Sequence, residues 1–189
     1  MTTKTQHLII DFGEQGHPLG RAIREEEVPG LIEALRRRLG CTAEELDLSP
    51  ESLKRLESKL IALHQAVEMG HVQLGEENTV RLIREVAAYL GQVTIVNLGG
   101  QWEERVRTLW ASTVDIPLPV ETIKGKEISI SPIRGFPPAY TAAYFWDLIG
   151  IGEGKGLLWK QYKRMTQKRW RETTKGLEEA IALQERLSK

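Results

Sequence analysis

The chain has 189 residues, of which 41% are hydrophobic and 28% charged, and its formal net charge is zero. These values are ordinary for a soluble globular protein, and the zero net charge excludes a global electrostatic preference for nucleic acid or anionic membranes. Cys41 is the only cysteine, which excludes an internal disulfide and a cysteine-rich zinc site. Because single cysteines are typical of a reducing compartment, and no apolar run approaches about 18 residues, we expect a cytoplasmic protein without a transmembrane segment.

Three helices are predicted in the N-terminal half. The first spans Pro29 to Leu39 and ends at Gly40, because glycine readily adopts the left-handed conformation that ends many helices. The second begins at Ser49-Pro50-Glu51, a capping side chain followed by proline and an acid. The third begins at Glu76, and we expect it to end at Gly91. The second has the strongest amphipathic pattern in the chain, with apolar residues at spacings of three and four: Leu53, Leu56, Leu60, Leu63 and Val67.

Residues 86–110 predict a helix end followed by a β-hairpin. Val93 to Val96 are all β-branched, which favours a strand. Asn97-Leu98-Gly99-Gly100 tolerates positive φ, so the chain can reverse there. Trp102 would then lie on the returning strand. We interpret five residues of this stretch as structural anchors: Tyr89, Gly91, Gly99, Gly100 and Trp102.

The sequence beyond the hairpin predicts strands and then helices. Residues 112–120 and 121–130 have strand character, with a hairpin turn at Lys124-Gly125-Lys126. A short apolar helix over 141–149 precedes four alternate glycines, which we interpret as a flexible joint. We therefore predict an α+β fold, with N-terminal helices packed on a small antiparallel sheet of about three to five strands and a long C-terminal helix. Residues 1–150 would form one domain, and 151–189 the glycine joint and a basic helical arm.

The C-terminal arm carries a marked charge asymmetry. Residues 155–175 contain eight basic side chains and one acid, with Trp159, Tyr162 and Trp170 among them. This pattern predicts contact with an anion or an acidic partner, whereas the alternative is that the helix packs across the chain's own acidic body. The candidate contact residues share positive charge and lie within twelve positions of each other: Lys160, Lys163, Arg164, Lys168, Arg169 and Arg171.

Three short motifs together resemble a group of uncharacterised bacterial domains. The shared pattern is a Ser-x-x-Ser-Leu helix, an Ala-Tyr-x-Gly helix end and a Gly-Gly-x-Trp hairpin, and it covers residues 46–135. Some members of this group are suspected of being immunity-type proteins that bind and block a toxin, so the resemblance implies a protein-binding role and supplies no catalytic residues. The matching residues are Ser49, Ser52 and Leu53, then Ala88, Tyr89 and Gly91, then Gly99, Gly100 and Trp102.

Three functional hypotheses follow. The first is a non-enzymatic protein-binding domain of immunity or adaptor type, because no recognisable catalytic motif is present. The second is a nucleic-acid or anionic-surface binder acting through the basic arm, and the arm's apolar stripe also leaves a homodimer open. The third is an enzyme whose site is assembled from scattered residues. We predict no cofactor and no metal site, since His64 and His71 lie too far apart for the usual helical metal pair. The enzyme hypothesis would use Asp11, His17, Glu103 or Asp115.

Overall fold

A computed structural model of the chain describes residues 19–103, 107–116, 121–123, 126–128 and 133–166. The predicted α+β class is confirmed within these ranges. The part of the predicted C-terminal helix beyond residue 166 lies outside them, and so do residues 1–18. The helices are α1 (Val28–Leu39), α2 (Ser52–Glu68), α3 (Glu76–Leu98), α4 (Pro138–Gly150) and α5 (residues 157–166). The strands are β1 (Gln101–Trp102), β2 (Val114–Ile116), β3 (Glu121–Ile123), β4 (Lys126–Ile128) and β5 (Ile133–Phe136).

The described strands form two antiparallel sheets. One has the order β1-β2-β5, with Trp102 opposite Val114 and Val114 opposite Phe136. The other is the hairpin of β3 and β4, in which Ile123 pairs with Lys126. The pairing of Ile123 with Lys126 agrees with the predicted hairpin turn at Lys124-Gly125-Lys126, while residues 117–120 and 129–130 of the predicted strands lie outside the described ranges.

Helix α3 lies at the centre of the molecule. It packs against α1 on one side and against α4 on another, while β2 of the three-stranded sheet contacts it as well. Residues 82–91 are all buried, so this part of the helix has no solvent-facing side. A helix that is apolar on nearly every face is stable only when neighbours surround it. Within the described ranges, helix α1 therefore packs on the central helix and not on a sheet, while α2 packs mainly on α4 and α1.

The predicted hairpin at residues 93–100 is wrong, because α3 continues without interruption from Glu76 to Leu98. Val93 and Thr94 are buried in the helix, where packing outweighs the modest strand preference of β-branched residues. The helix ends instead at Gly99, which has a φ of 69°, and Gly100 follows with a φ of 147°. These two glycines turn the chain into β1, so the reversal joins a helix to a strand.

Gly91 does not end the helix; it makes room for Trp102. A Cβ atom at position 91 would lie 2.2 Å from Cζ2 of the Trp102 indole and 2.3 Å from Cη2. These separations are far below van der Waals contact, so only glycine lets the ring rest on the helix backbone. Trp102 is 3% exposed in this position. The glycine is thus required by the close approach of a side chain that follows the helix.

Two side chains of α3 hold the loop that precedes α2. The Tyr89 hydroxyl accepts a hydrogen bond from the Leu48 N–H at 3.2 Å and also pairs with the Ser52 hydroxyl. The Asn97 amide donates to the Leu48 carbonyl oxygen at 2.8 Å. Leu48 has a φ of 63°, a backbone conformation that residues other than glycine rarely adopt. Both backbone groups of this strained residue are thereby satisfied by one helix.

The predicted end of α1 at Gly40 is confirmed. Gly40 adopts a φ of 61° as α1 ends. Thr42 and Glu45 form a reciprocal capping box, whose residue spacing is visible in the sequence: the Thr42 N–H donates to Glu45 Oε2 at 2.8 Å, and the Glu45 N–H donates to Thr42 Oγ1 at 3.3 Å. These local signals survive in the structure because their partners lie only three positions apart.

The contact between Gly91 and Trp102 predicts a coupled pair of substitutions. Gly91→Ala should lower the free energy of unfolding by about 1–3 kcal/mol or more, because the added methyl group overlaps the indole. In a Trp102→Leu background the same change should cost much less, which a double-mutant cycle measures by urea denaturation. Gly30→Ala in α1 is the control, since a Cβ there meets nothing within 4 Å, and it should stabilise by up to about 1 kcal/mol. Equal costs in both backgrounds would contradict the packing described above.

The tyrosine hydroxyl predicts a second effect on stability. Tyr89→Phe leaves the Leu48 N–H without its acceptor and should reduce the free energy of unfolding by about 1–3 kcal/mol. Tyr140→Phe, at a tyrosine that is 56% exposed, should change it by less than about 0.5 kcal/mol. Thermal or denaturant unfolding of the two variants checks this, and a Tyr89→Phe protein as stable as the wild type would rule the role out.

Candidate anion-binding surface

The glycine-rich segment after α4 is a defined chain reversal. Gly152, Gly154 and Gly156 all have positive φ values, between 78° and 95°, which residues other than glycine rarely adopt. The Glu153 N–H donates to the Leu148 carbonyl oxygen at 2.8 Å, which closes the end of α4. The alternate glycines therefore have specific backbone conformations, and the turn that they form leads the chain onto α2.

A single carboxylate on α2 receives the start of α5. Glu57 accepts hydrogen bonds from the backbone N–H groups of Gly156 at 2.9 Å, Leu158 at 2.5 Å and Trp159 at 3.2 Å. The first N–H groups of any helix lack partners within that helix, and the helix dipole favours a negative charge beside them. Glu57 is 4% exposed, so the cap is buried between the two helices. This arrangement fixes where α5 begins and which way its faces point.

Burial raises the pKa of the Glu57 carboxyl, although the three N–H groups and the charge of Lys160 act in the opposite direction. Two effects on the pKa of this carboxyl oppose each other. The loss of water favours the protonated form, whereas the hydrogen bonds favour the ionised form. Protonation in the folded protein is therefore easier at Glu57 than at an exposed glutamate.

The docked helix has a buried face and a basic face. Leu158, Tyr162 and Met165 are buried on the inner side, which favours the alternative that the arm packs on its own domain, at least for residues 157–166. The outer side carries three of the predicted contact residues, and all three are exposed: Lys160, Lys163 and Arg164. Lys168, Arg169 and Arg171 lie outside the described residues.

Trp159 joins the two helices at the edge of this basic face. The Lys54 ammonium of α2 lies 4.4 Å from the centroid of the Trp159 ring, and the Lys163 ammonium of α5 lies 5.5 Å from it. Tyr162 stacks near the same ring at 6.1 Å, with an angle of 23° between the ring planes. A cation over an indole is stabilised by about 0.5–1 kcal/mol at an exposed site. We call Lys54, Lys160, Lys163 and Arg164, together with Trp159, the basic face.

Sequence reasoning missed Lys54 and Glu57, which complete this surface. Glu57 lies four positions after Leu53 and three before Leu60, so it occupies the apolar side of an otherwise regular amphipathic helix. A carboxylate at such a position is the signal that could have identified a buried cap. Lys54 carries no comparable signal, because its ring partner is 105 residues away in the chain.

The structure, within the described residues, does not bring together the side chains that the enzyme hypothesis would use. Asp11 and His17 lie outside these residues. Glu103 lines a cleft of about 550 Å³ beside Arg21 and Arg107, whereas Asp115 on β2 is not part of that lining. Within the described ranges, no group of three potential metal ligands is found.

The histidines and the cysteine occupy structural or surface positions. His64 packs between α2 and α4, with its ring 4.9 Å from the Trp146 ring and close to Gly150, while His71 is exposed. Burial raises the pKa of the Cys41 thiol, which disfavours a reactive thiolate. None of these side chains extends the basic face.

Comparison of the chain with protein families, with curated proteins and with solved structures gives no match. The resemblance to immunity-type domains therefore stays a prediction. Across the described residues, no helix is both long enough and apolar enough to cross a membrane.

The Glu57 cap predicts a specific pH dependence. A carboxyl whose pKa is raised by folding stabilises the folded state most below its ordinary pKa of 4.5, and that contribution is lost as the pH rises through the folded-state pKa. The stability of the wild type relative to Glu57→Gln should therefore fall as the pH rises above about 4.5. Denaturant unfolding at several pH values measures this difference, with Glu153→Gln as the control, because Glu153 is exposed and forms no ion pair within the described ranges. A difference that grows with pH would show that the N–H groups, and not burial, dominate at this carboxyl.

Proposed function

We propose that this protein is a non-enzymatic binding domain of immunity or adaptor type that contacts an acidic surface of a partner protein through the basic face. The observation that carries the proposal is the cluster of Lys54 of α2 and Lys163 of α5 around Trp159. Glu57 fixes the position of α5 in this cluster. The choice of a binding role over catalysis rests on the resemblance and on the absence of recognisable catalytic motifs from the sequence.

The basic face has uncompensated positive charge. Among the described residues, none of its four cations forms an ion pair, whereas the neighbouring Arg55 and Lys59 pair with Asp47 and Glu45. The Glu57 carboxylate beneath this face is buried and already accepts hydrogen bonds from three N–H groups. An acidic partner would relieve the repulsion among these cations and would be guided to the surface by its charge.

The contacts that the Trp159 ring already makes favour a protein partner over nucleic acid. Aromatic and cationic side chains that are held together at a partly buried position are typical of the residues that dominate protein interfaces. Binding of single-stranded nucleic acid commonly uses an open aromatic face on which a base stacks. Here Lys54 lies over the ring and Tyr162 stacks beside it, so a base would have to displace an existing contact.

A second candidate function is binding of nucleic acid or another anionic surface through the same helix. It is favoured by the spacing of Lys160 and Arg164, which matches one helical turn and would align with Lys168 and Arg171 if the predicted long helix continues. Phosphate contacts of this kind would give steep salt dependence. The resemblance adds no support to this alternative.

Charge reversal tests the proposal. Lys54→Glu combined with Lys163→Glu should weaken binding of the captured partner by about tenfold or more, equivalent to ~1.4 kcal/mol. The matched control is Arg24→Glu combined with Arg107→Glu, which reverses two charges on exposed residues outside the basic face and should leave binding unchanged. The partner is captured from a lysate of the source cells and identified by mass spectrometry, and affinities are then measured with the purified proteins.

Two results separate the candidates. If nuclease treatment of the lysate abolishes capture, and purified nucleic acid binds in its place, the second candidate replaces the first. If both double variants bind an acidic partner protein as tightly as the wild type does, the basic face is not the contact surface.

A further inference from the structure

A cleft of about 470 Å³ lies between residues 19–21, α1 and α3, away from the basic face. Its apolar part is formed by Leu19, Leu31 and Ala34. Five arginines also line the cleft, and they come from three different segments of the chain: Arg21, Arg37, Arg38, Arg81 and Arg84. Residues 36–38 form a basic run in the sequence, which gives no indication that other arginines gather beside it.

The cleft walls are held by two buried charges that are adjacent in α3. Arg84 is 4% exposed and pairs with Glu27 at 2.6 Å, and its guanidinium also donates to the Ala22 carbonyl oxygen at 3.1 Å. Glu85 is 2% exposed and accepts two hydrogen bonds from Arg38, at 2.7 and 2.9 Å. Buried charges are stable only when they are paired with good geometry, so both walls have little freedom to rearrange.

The charges in the cleft do not balance. Glu85 pairs with Arg38, Glu27 pairs with both Arg84 and Arg21, and Glu77 pairs with Arg81 at 3.0 Å. Within the described ranges, three carboxylates thus accompany five arginines, which leaves an excess of two positive charges. Arg37 is exposed and has no ion pair within the described part of the chain, so it is available at the rim.

We infer that this cleft binds a small amphiphile with one acidic head, a carboxylate or a phosphate, on an apolar chain. The planar guanidinium group matches both heads with two parallel hydrogen bonds, and Arg37 with the neighbouring Arg21 and Arg81 would receive the head. The apolar chain would lie over Leu31 and Ala34 and would lose its contact with water. Walls that are already fixed reduce the entropy lost on binding.

The chemistry excludes simpler ligands. An inorganic anion would leave the apolar part of the cleft in contact with water, and an alcohol of the same chain length would leave the excess positive charge unpaired. A cationic amphiphile would be repelled. The head and the chain are therefore both required, and each can be removed separately in the experiment.

Calorimetric titration of the full chain with decanoate and with decyl phosphate, below their micelle concentrations, tests the inference. One molecule of either compound per chain should bind, whereas decanol, acetate, inorganic phosphate and decyltrimethylammonium should not. Arg37→Gln should weaken binding by about tenfold or more, and Ala34→Leu should weaken it by filling the cleft. Arg24→Gln, at an exposed arginine outside the cleft, should bind as the wild type does.

The outcomes are distinguishable from those of the proposed function. The variant with Lys54→Glu and Lys163→Glu should still bind the amphiphile, because the basic face is a different surface. Failure of both compounds to bind the wild type would overturn the inference, and so would unchanged binding by Arg37→Gln. The two compounds separate a carboxylate head from a phosphate head, and binding of either supports the site.

Discussion

Burial of helix α3 on nearly every face is the constraint on which the rest of the structure depends. Of its 23 residues, 15 are buried, which forces α1, α4 and the three-stranded sheet to surround it. Small residues at Ala87, Ala88 and Gly91 allow close approach, and at Gly91 the neighbour is the Trp102 ring itself. The polar groups that the helix carries into the interior must then find partners, and those partners organise the loops around it.

The partners of α3 explain features that look unrelated in the sequence. Tyr89 and Asn97 satisfy both backbone groups of Leu48 and so set the approach to α2. Arg84 and Glu85 draw Glu27 and Arg38 toward the helix and thereby build the walls of the arginine-lined cleft. One central helix therefore positions both the loop that starts α2 and the cleft beside α1.

Local patterns in the sequence were sufficient to predict the structure wherever the interacting residues are close together in the chain. The end of α1 at Gly40, the capping box of Thr42 and Glu45 and the pairing of β3 with β4 all depend on a few neighbouring residues. Val93 and Thr94 show the opposite case, because their strand preference is small and burial against distant elements outweighs it. Gly91 was misinterpreted for the same reason: its smallness serves a tertiary contact, and nothing in the helix itself reveals that contact.

The candidate site was predictable only in part. The spacing of Lys160, Lys163 and Arg164 is sufficient to place them on one side of a helix, and the structure describes them on its exposed side. The orientation of that helix depends on Glu57, which lies 99 to 102 positions away from the N–H groups it receives. Lys54 joins the face through the same long-range contact. No local pattern encodes such pairs, although an acid on an apolar helix face marks where one end of a pair must lie.

The most direct test of the account is the distance between Gly91 and Trp102, since it depends on an uninterrupted α3. Nuclear Overhauser spectra of isotopically labelled protein should show strong cross-peaks from the Gly91 Hα protons to the Hζ2 and Hη2 protons of Trp102. The same spectra should show helical chemical shifts at residues 92–98. Cross-strand contacts between residues 93–96 and the segment after Gly100, without any contact between Gly91 and the indole, would contradict the central helix and the surfaces that depend on it.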